Sequence, residues 1–285
     1  MIIAPLVPVP ELDAGLYAKI EYLHPSGSMK HRALPPLLEA RVRAGAILPG
    51  QRLAVVSAGS GALAVAWSAA RLGHAALAVL PKSAPRQIVR QLEWLGASCE
   101  LIDADEVPST LAQLEADPDT YLVSQSHEPE VVDHYRPVAR EILDALPDVA
   151  AITVGLGTGA SATGIGREVA ARAVGARCRV VGVEPAEAAI ASGRPWAPHT
   201  LHGLAPPMPQ PLLDRRVLTD IVTVASAEAW RIAREVGRRA GLPVGPSSGA
   251  TIAAALALRA QGVAGPIVAV CSCAIGDYLD GARPL

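Results

Sequence analysis

The chain has 285 residues, 51% of them hydrophobic and 18% charged, which excludes a disordered chain and leaves ample apolar surface for one large domain or two modest ones. Its 25 basic and 27 acidic residues leave a net charge of -2, a balance that gives no reason to expect a nucleic-acid or anionic-membrane partner. The cysteines at 99, 178, 271 and 273 do not make a disulfide framework, Cys271-x-Cys273 has no second pair at zinc-like spacing, the first residues show no basic-then-apolar signal, and no apolar run reaches membrane-spanning length. No metal is expected, and the cytoplasm is the expected location.

In chain order, strands are predicted at Leu16–Leu23, Arg52–Ser57, Ala75–Leu80, Ser98–Ile102, Tyr121–Val123, Ala151–Gly155, Arg179–Val183, Val222–Val224 and Ile267–Cys271. Helices are predicted at Met29–Gly45, Ser60–Gly73, Pro85–Gly96, Val132–Leu146, Ser161–Val174, Ala227–Ala240 and Ser248–Gln261. Apolar strands alternating with amphipathic helices predict an α/β fold with largely parallel sheets covered on both faces. With no Phe and few aromatics, the core must be built mainly from Ala, Val, Leu and Ile. Pro185–Asp220 is rich in Pro and Gly and weakly periodic, so it is predicted as an irregular connection near the site. Ligands of open α/β sheets sit at the carboxyl ends of strands, which directs attention to the loops after Leu23, Ser57, Gly155, Glu184 and Cys271.

The first of these loops runs Pro25-Ser-Gly-Ser-Met-Lys30-His-Arg32 between a predicted strand and a predicted helix. A lysine in a first helical turn opposes the helix dipole, so its pKa should fall, which suits an amine that must be neutral to attack a carbonyl. The chain has three lysines (19, 30 and 82) against 22 arginines. Arginine serves wherever a surface cation suffices, whereas an imine needs a primary amine. Read alone, the segment is more often a solvated lysine at a helix start, since most lysines are inert surface groups.

Gly155-Leu-Gly157-Thr158-Gly159-Ala160-Ser161-Ala-Thr163-Gly164 follows an apolar strand and opens a helix. Its glycines, its free N–H groups and the hydroxyls of Thr158, Ser161 and Thr163 make a phosphate cup. The same residues fit the dinucleotide pattern G-x-G-x-x-G/A, with Glu184 where a ribose-binding acid would stand, so an oxidoreductase is a rival reading. Ser57-Ala58-Gly59-Ser60-Gly61-Ala62 is a second strand-to-helix turn that suits a carboxylate, or a plain helix start capped by Ser60.

Taken together, these segments resemble the fold-type II pyridoxal-phosphate enzymes, specifically the cysteine synthase and cystathionine β-synthase group. Ala4-Pro-Leu-Val7 resembles T-P-L-V. Lys19 to Arg32 resembles K-x-E-x-x-N-P-T-G-S-F-K-D-R, whose second lysine, here Lys30, carries the cofactor as a Schiff base. Gly157 to Gly164 resembles the phosphate loop G-T-G-G-T-x-T-G, Val183-Glu-Pro185 resembles V-E-P, and Gly245 to Ala250 resembles G-x-S-S-G-A. The resemblance demotes the dinucleotide reading, because this family uses that turn for the cofactor phosphate.

The resemblance implies a tryptophan synthase β-like fold of two three-layer αβα domains. Residues 1–32 with 121–285 would form the larger, cofactor-binding domain, and 33–120 a smaller mobile substrate domain. It implies pyridoxal 5'-phosphate held by Lys30, Ser60, Gly157, Thr158, Gly159, Ala160, Ser161 and Cys273. The substrate carboxylate would be met by Ser57, Ala58, Gly59, Ser60 and Gln125. Lys30 would act as catalytic base, the substrates would be a small amino acid and a small nucleophile, and the protein would be a homodimer.

The departures lie in the substrate loop, where the family has T-S-G-N-T-G, and at the serine that faces the pyridine nitrogen. Counting back from Tyr278 gives Ala274, and shifts of one or two residues give Cys273 or Ser272. The implied activity is β-replacement or β-elimination on an O-activated serine through an aminoacrylate. A serine or threonine dehydratase and a non-catalytic binding protein of the same fold are the alternatives within the fold.

Overall fold

A computed structural model describes residues 3–57, 59–172, 178–207 and 209–279. Its strands are β1 (Leu6–Pro8), β2 (Leu16–Ile20), β3 (Arg52–Val56), β4 (Ala76–Pro81), β5 (Ser98–Ile102), β6 (Thr120–Leu122), β7 (Ala151–Gly155), β8 (Arg179–Pro185), β9 (Asp220–Val224) and β10 (Ile267–Cys271). Its helices are α1 (Leu34–Arg43), α2 (Ser60–Leu72), α3 (Arg86–Trp94), α4 (Val107–Ala116), α5 (Glu130–Asp133), α6 (Arg136–Ala145), α7 (Ala160–Ala171), α8 (Ser226–Ala240) and α9 (Pro246–Ala260). The predicted end of α7 at Val174 lies outside the described residues.

Prolines and caps explain most boundary differences. The predicted helix Met29–Gly45 is a 3-10 turn, Met29–Arg32, followed by α1, because Pro35 and Pro36 open a new helix with Ala33 as its N-cap. The predicted helix Val132–Leu146 is likewise two helices, with Pro137 in the first turn of the second. The predicted strand to Leu23 stops at Ile20 and gives way to a 3-10 turn, Glu21–Leu23. Helix α4 was not foreseen, although Asp103 and Glu106 form a capping box at the turn just before it.

The described residues divide into two compact units. One comprises the chain up to Leu23 together with Pro129–Ile275, and the other runs from His24 to Glu128 with residues 276–279. Residues 24–32 and 121–128 therefore belong with the smaller unit, whereas the sequence reading put them with the larger. The reason is local: the turn Met29–Arg32 packs on α1 and α2, and β6 pairs with β3.

The larger unit holds a six-stranded sheet in the order β1-β2-β10-β7-β8-β9, parallel except that β1 runs antiparallel to β2. Leu16, Ala18, Ile20, Ala151, Val181, Ile267 and Ala269 meet α8 and α9 residues on one face. The strand residues of opposite parity, among them Ile152, Val154, Val268 and Val270, are buried as well, and α7 packs on β7 and β8. The central strands are thus apolar on both sides, as a parallel sheet requires.

The smaller unit holds a four-stranded parallel sheet in the order β5-β4-β3-β6. One face packs Leu53, Val55, Ala78 and Leu80 against α1, α2 and α3, and the other packs Ala54, Leu77 and Val79 against Leu114 of α4. Small residues do this work without Phe: Gly61, Ala62, Ala64, Ala66 and Ala69 of α2 are all buried, letting the helix axis lie close to the strands.

Several buried polar groups of the larger unit are paired. Lys19 is almost fully enclosed in β2, and its ammonium donates to Glu141 and to the Ala4 carbonyl. The buried Thr153 hydroxyl donates to Thr251 O at 2.8 Å, and Thr251 donates in turn to Ser248 O and Val270 O. Among the described residues, no helix is long and apolar enough to cross a membrane, and no group of three or more His, Cys, Asp or Glu side chains could hold a metal.

Candidate active site

In the smaller unit, the sharp turn at Gly27 (φ 77°) leads to Ser28, whose extended backbone lets its Oγ accept the Lys30 N–H at 3.3 Å. Lys30 sits in the 3-10 turn, and among the described residues its Nζ makes no hydrogen bond or ion pair. Its pKa is lowered from 10.5 to about 8 by burial alone. The lysine lies in a four-residue 3-10 turn and not in the first turn of an α-helix, so desolvation, and not the helix dipole expected from sequence, lowers its pKa.

His31, whose role the sequence left open, packs this turn onto α2. Its ring lies 4.5 Å from Trp67, edge to face, and 5.6 Å from His24, nearly parallel, while its Nδ1 is 3.2 Å from Ser26 Oγ. Burial, and then the charges of His24 and Arg71, push its pKa down to about 4, so His31 is neutral beside Lys30 at neutral pH.

The second turn of this unit begins α2. Gly59, not Ser60, is the N-cap, so the capping role read from the sequence falls one residue earlier. Ala58 lies outside the described residues. Leu63 N–H reaches Gly59 O at 3.2 Å, and the N–H groups of Ser60 and Gly61 have no acceptor among the described residues. The hydroxyl of Ser60 likewise has none. Gln125, after β6, lies directly against this helix start. A Cβ on Gly61 would come within 2.7 Å of Gln125 Oε1, 2.9 Å of Gln125 Nε2 and 2.8 Å of Ser57 Oγ. Gln125 Oε1 is buried and finds no hydrogen-bond partner. Gln125 thus fills the room that a side chain at 61 would occupy, a coupling the sequence could not reveal.

In the larger unit, the turn after β7 places Gly159 at φ 88°, followed at once by the right-handed residues of α7, a backbone reversal that aims successive N–H groups the same way. Thr163 N–H bonds Gly159 O at 3.0 Å, which leaves the N–H groups of Ala160, Ser161 and Ala162 without an acceptor among the described residues. Thr163 is not a third hydroxyl of the cup: its Oγ1 donates to Leu212 O at 2.7 Å and accepts from Asp214 N–H at 2.8 Å. The glycines face protein rather than open space. A Cβ on Gly157 would collide with Gly203 O, and one on Gly159 would come within 2.6 Å of Leu213 Cα. Gln210 Nε2 also donates to Gly157 O at 2.6 Å. The irregular segment after β8 therefore closes over the turn, and only its Pro and Gly content hinted at this in the sequence.

Glu184 is fully buried at the end of β8, where it accepts N–H bonds from Ala191 at 2.9 Å and Ser192 at 3.0 Å and a hydroxyl bond from Ser192. Fully buried and bonded within its own loop, the carboxylate is not open to a ribose hydroxyl, which argues against the dinucleotide reading.

At the end of β10, Cys273 is 4% exposed. Its Sγ lies 2.7 Å from Ser247 Oγ and 3.7 Å from Ser248 Oγ, and a Cβ on Gly245 would meet it at 2.6 Å. The thiol is thus enclosed by the start of α9. Ala274 has no polar side-chain atom and forms a bridge with Val244. Ser272, half-buried, has its Oγ 3.3 Å from Ser247 Oγ.

The chain is similar over 88% of its length, at 29% identity, to "Cysteine synthase 3" of Caenorhabditis elegans, 76% of which is covered. It is 29% identical to "O-ureido-L-serine synthase" of Streptomyces lavendulae over 89% of this chain and 80% of that one. The crystal structure of an O-ureido-L-serine synthase superposes on it with a TM-score of 0.89 at 25% identity, covering 99% of this chain and 94% of the other. Residues 2–272 match the family described as "Pyridoxal-phosphate dependent enzyme", and with an unpartnered, half-buried lysine and a donor-lined glycine turn in place, the chain belongs to the pyridoxal-phosphate dependent enzymes.

Proposed function

We propose that this protein replaces the β-substituent of an O-activated L-serine by a small nucleophile. The observation that carries the reading is the Lys30 amine, unpartnered and with a pKa of about 8. The residues fit pyridoxal phosphate: Lys30 would carry its aldehyde carbon, and the N–H groups of Ala160, Ser161 and Ala162, with the hydroxyls of Thr158 and Ser161, would hold its phosphate. When bound, the cofactor supplies an electron sink for the pair left at the substrate α-carbon. Lys30 Nζ, once free, takes the α-proton. Ser57 Oγ, the Gln125 amide and the N–H groups of Ser60 and Gly61 would orient the substrate carboxylate. Ser60 Oγ would meet the cofactor's ring hydroxyl. For the pyridine nitrogen, Ser272 is favoured over Cys273, whose thiol the start of α9 encloses, and a neutral hydroxyl there suits β-replacement. The reading also takes the smaller unit as the part that moves on substrate binding and a homodimer as the working form.

The test is the visible spectrum of the purified holoprotein with O-acetyl-L-serine or O-phospho-L-serine, followed by product analysis with sulfide present. A shift of the cofactor band and a new amino acid support the reading. Release of keto acid and ammonia with no amino-acid product would make it a dehydratase, and an unresponsive band with both substrates would overturn it.

Gly61→Ala separates grip from chemistry. The added methyl would displace the Gln125 amide and the Ser57 hydroxyl, both free to rotate, so the fold should be kept. KM for the amino acid should rise about tenfold, the cost of one or two hydrogen bonds, with kcat changed far less. An unchanged KM would remove Gln125 from the substrate site.

A further inference from the structure

Ala205 is the one non-glycine residue with positive φ among the described residues, at 36°, and it is fully buried. An L-residue holds that conformation only where its surroundings enforce it. Its N–H donates to Leu156 O at 2.8 Å, on the residue between β7 and the glycine turn. Its carbonyl receives two side-chain donors, Trp196 Nε1 at 3.1 Å and His199 Nε2 at 3.3 Å. His199 Nδ1 accepts the Leu201 N–H at 3.2 Å, which assigns the neutral Nε2–H tautomer and makes the ring a donor to Ala205. The residues between press on the same turn: Leu204 fills the space beside Gly155, approaching a Cβ built there to 2.5 Å, and Gly203 O lies against Gly157.

We infer that Trp196 and His199 are positioning residues for the cofactor phosphate: they hold Ala205 in its left-handed conformation, and through Ala205–Leu156 and Gly203–Gly157 they fix the turn whose N–H groups bind the anion. Neither side chain touches the cofactor in this assignment, which rests on the reading of residues 157–162 as the phosphate site. A glycine at 205 would adopt the same backbone without enforcement. The dependence on Trp196 should therefore vanish when Ala205 is replaced by Gly.

The experiment measures the dissociation constant of pyridoxal phosphate from reconstituted apoprotein and the phosphorus-31 shift of the bound cofactor, in Trp196→Phe, Ala205→Gly and the double variant. Loss of one hydrogen bond should raise the dissociation constant about tenfold in Trp196→Phe and move the phosphorus resonance. The same substitution on Ala205→Gly should change it less than about twofold, a coupling that a merely structural tryptophan would not show. Should Trp196→Phe fail to fold, His199→Phe, which deletes the other donor to the same carbonyl, carries the same expectation. Unchanged affinity in the single variant, or equal losses in both backgrounds, would overturn the inference. Thr158→Val, run alongside, reports on the phosphate site itself. If it changes neither readout, the phosphate site falls and the clamp with it. If it weakens binding while Trp196→Phe does not, only the clamp falls.

Discussion

Lys30→Ala is expected to reduce turnover by about four orders of magnitude or more, the combined loss of the covalent anchor and of the base that takes the α-proton. Lys30→Arg should be as inactive, because a guanidinium keeps the charge but cannot form an imine. Wild-type residual activity in either variant would sink the mechanism. The pKa gives the assignment a pH signature. With a pKa of about 8, roughly one amine in ten is neutral at pH 7, against about one in three thousand at the ordinary value of 10.5. Cofactor uptake by apoprotein should therefore rise about tenfold per pH unit below 7 and level off above 8. The sign for stability is the opposite of a salt bridge. The folded pKa lies below the unfolded one, so the folded state binds fewer protons between pH 8 and 10.5, and stability rises with pH across that window. Below pH 8 the enclosed amine costs stability in full. Apoprotein of Lys30→Met should thus melt higher than wild type at pH 7, with the difference shrinking toward pH 10.5. A lysine held at that cost, beside a neutral His31 that adds no charge, is what the proposed chemistry would require and the fold would not.

What could be read in advance follows from the range of the interactions. The bounds of β7 and β10 follow directly from apolar runs between turn residues. The glycine turns announced themselves because a left-handed residue and a free helix start leave a local imprint on sequence. The split of Met29–Gly45 is marked by Pro35-Pro36, but the hydrophobic periodicity runs on across the break and masks it. Other features carry no local imprint at all. Gln125 meets Gly61 across 64 positions, and Gly203 and Leu213 meet the turn at Gly157 and Gly159 across more than 40. Such contacts are set by chain topology, and no periodicity encodes them. Cys273 shows the limit from the other side. Counting residues from Tyr278 leaves three candidates, and the enclosure of the thiol by Ser247 and Gly245 is a contact that counting could not supply.

Gly159→Ala should cost the protein its cofactor. The residue sits at φ 88°, where a Cβ crowds the following carbonyl, a penalty of about 1–2 kcal/mol. The methyl would also lie 2.5 Å from Leu213 Cβ and 2.6 Å from Leu213 Cα and N, atoms of backbone and its first carbon that cannot swing aside. Overpacking of that kind adds about 1–3 kcal/mol, so the larger unit should lose about 2–5 kcal/mol of stability if the turn is kept as it is. The cheaper response is to move the turn away from Leu213, and the two responses leave different traces. A moved turn misaims the N–H groups of Ala160, Ser161 and Ala162, three charge-assisted bonds to a phosphate dianion, and affinity for pyridoxal phosphate should fall by at least about a hundredfold. The variant would then purify colourless, with thermal stability near that of wild-type apoprotein. A retained turn would give a coloured but readily melted protein. Wild-type affinity with wild-type stability is the outcome neither response allows, and it would show that the anion binds elsewhere. Gly61 makes the contrast within the same molecule. There the added methyl meets the mobile ends of Gln125 and Ser57, so the protein should yield at the side chains and lose only its hold on substrate. At Gly159 it meets backbone, and the turn itself must give way.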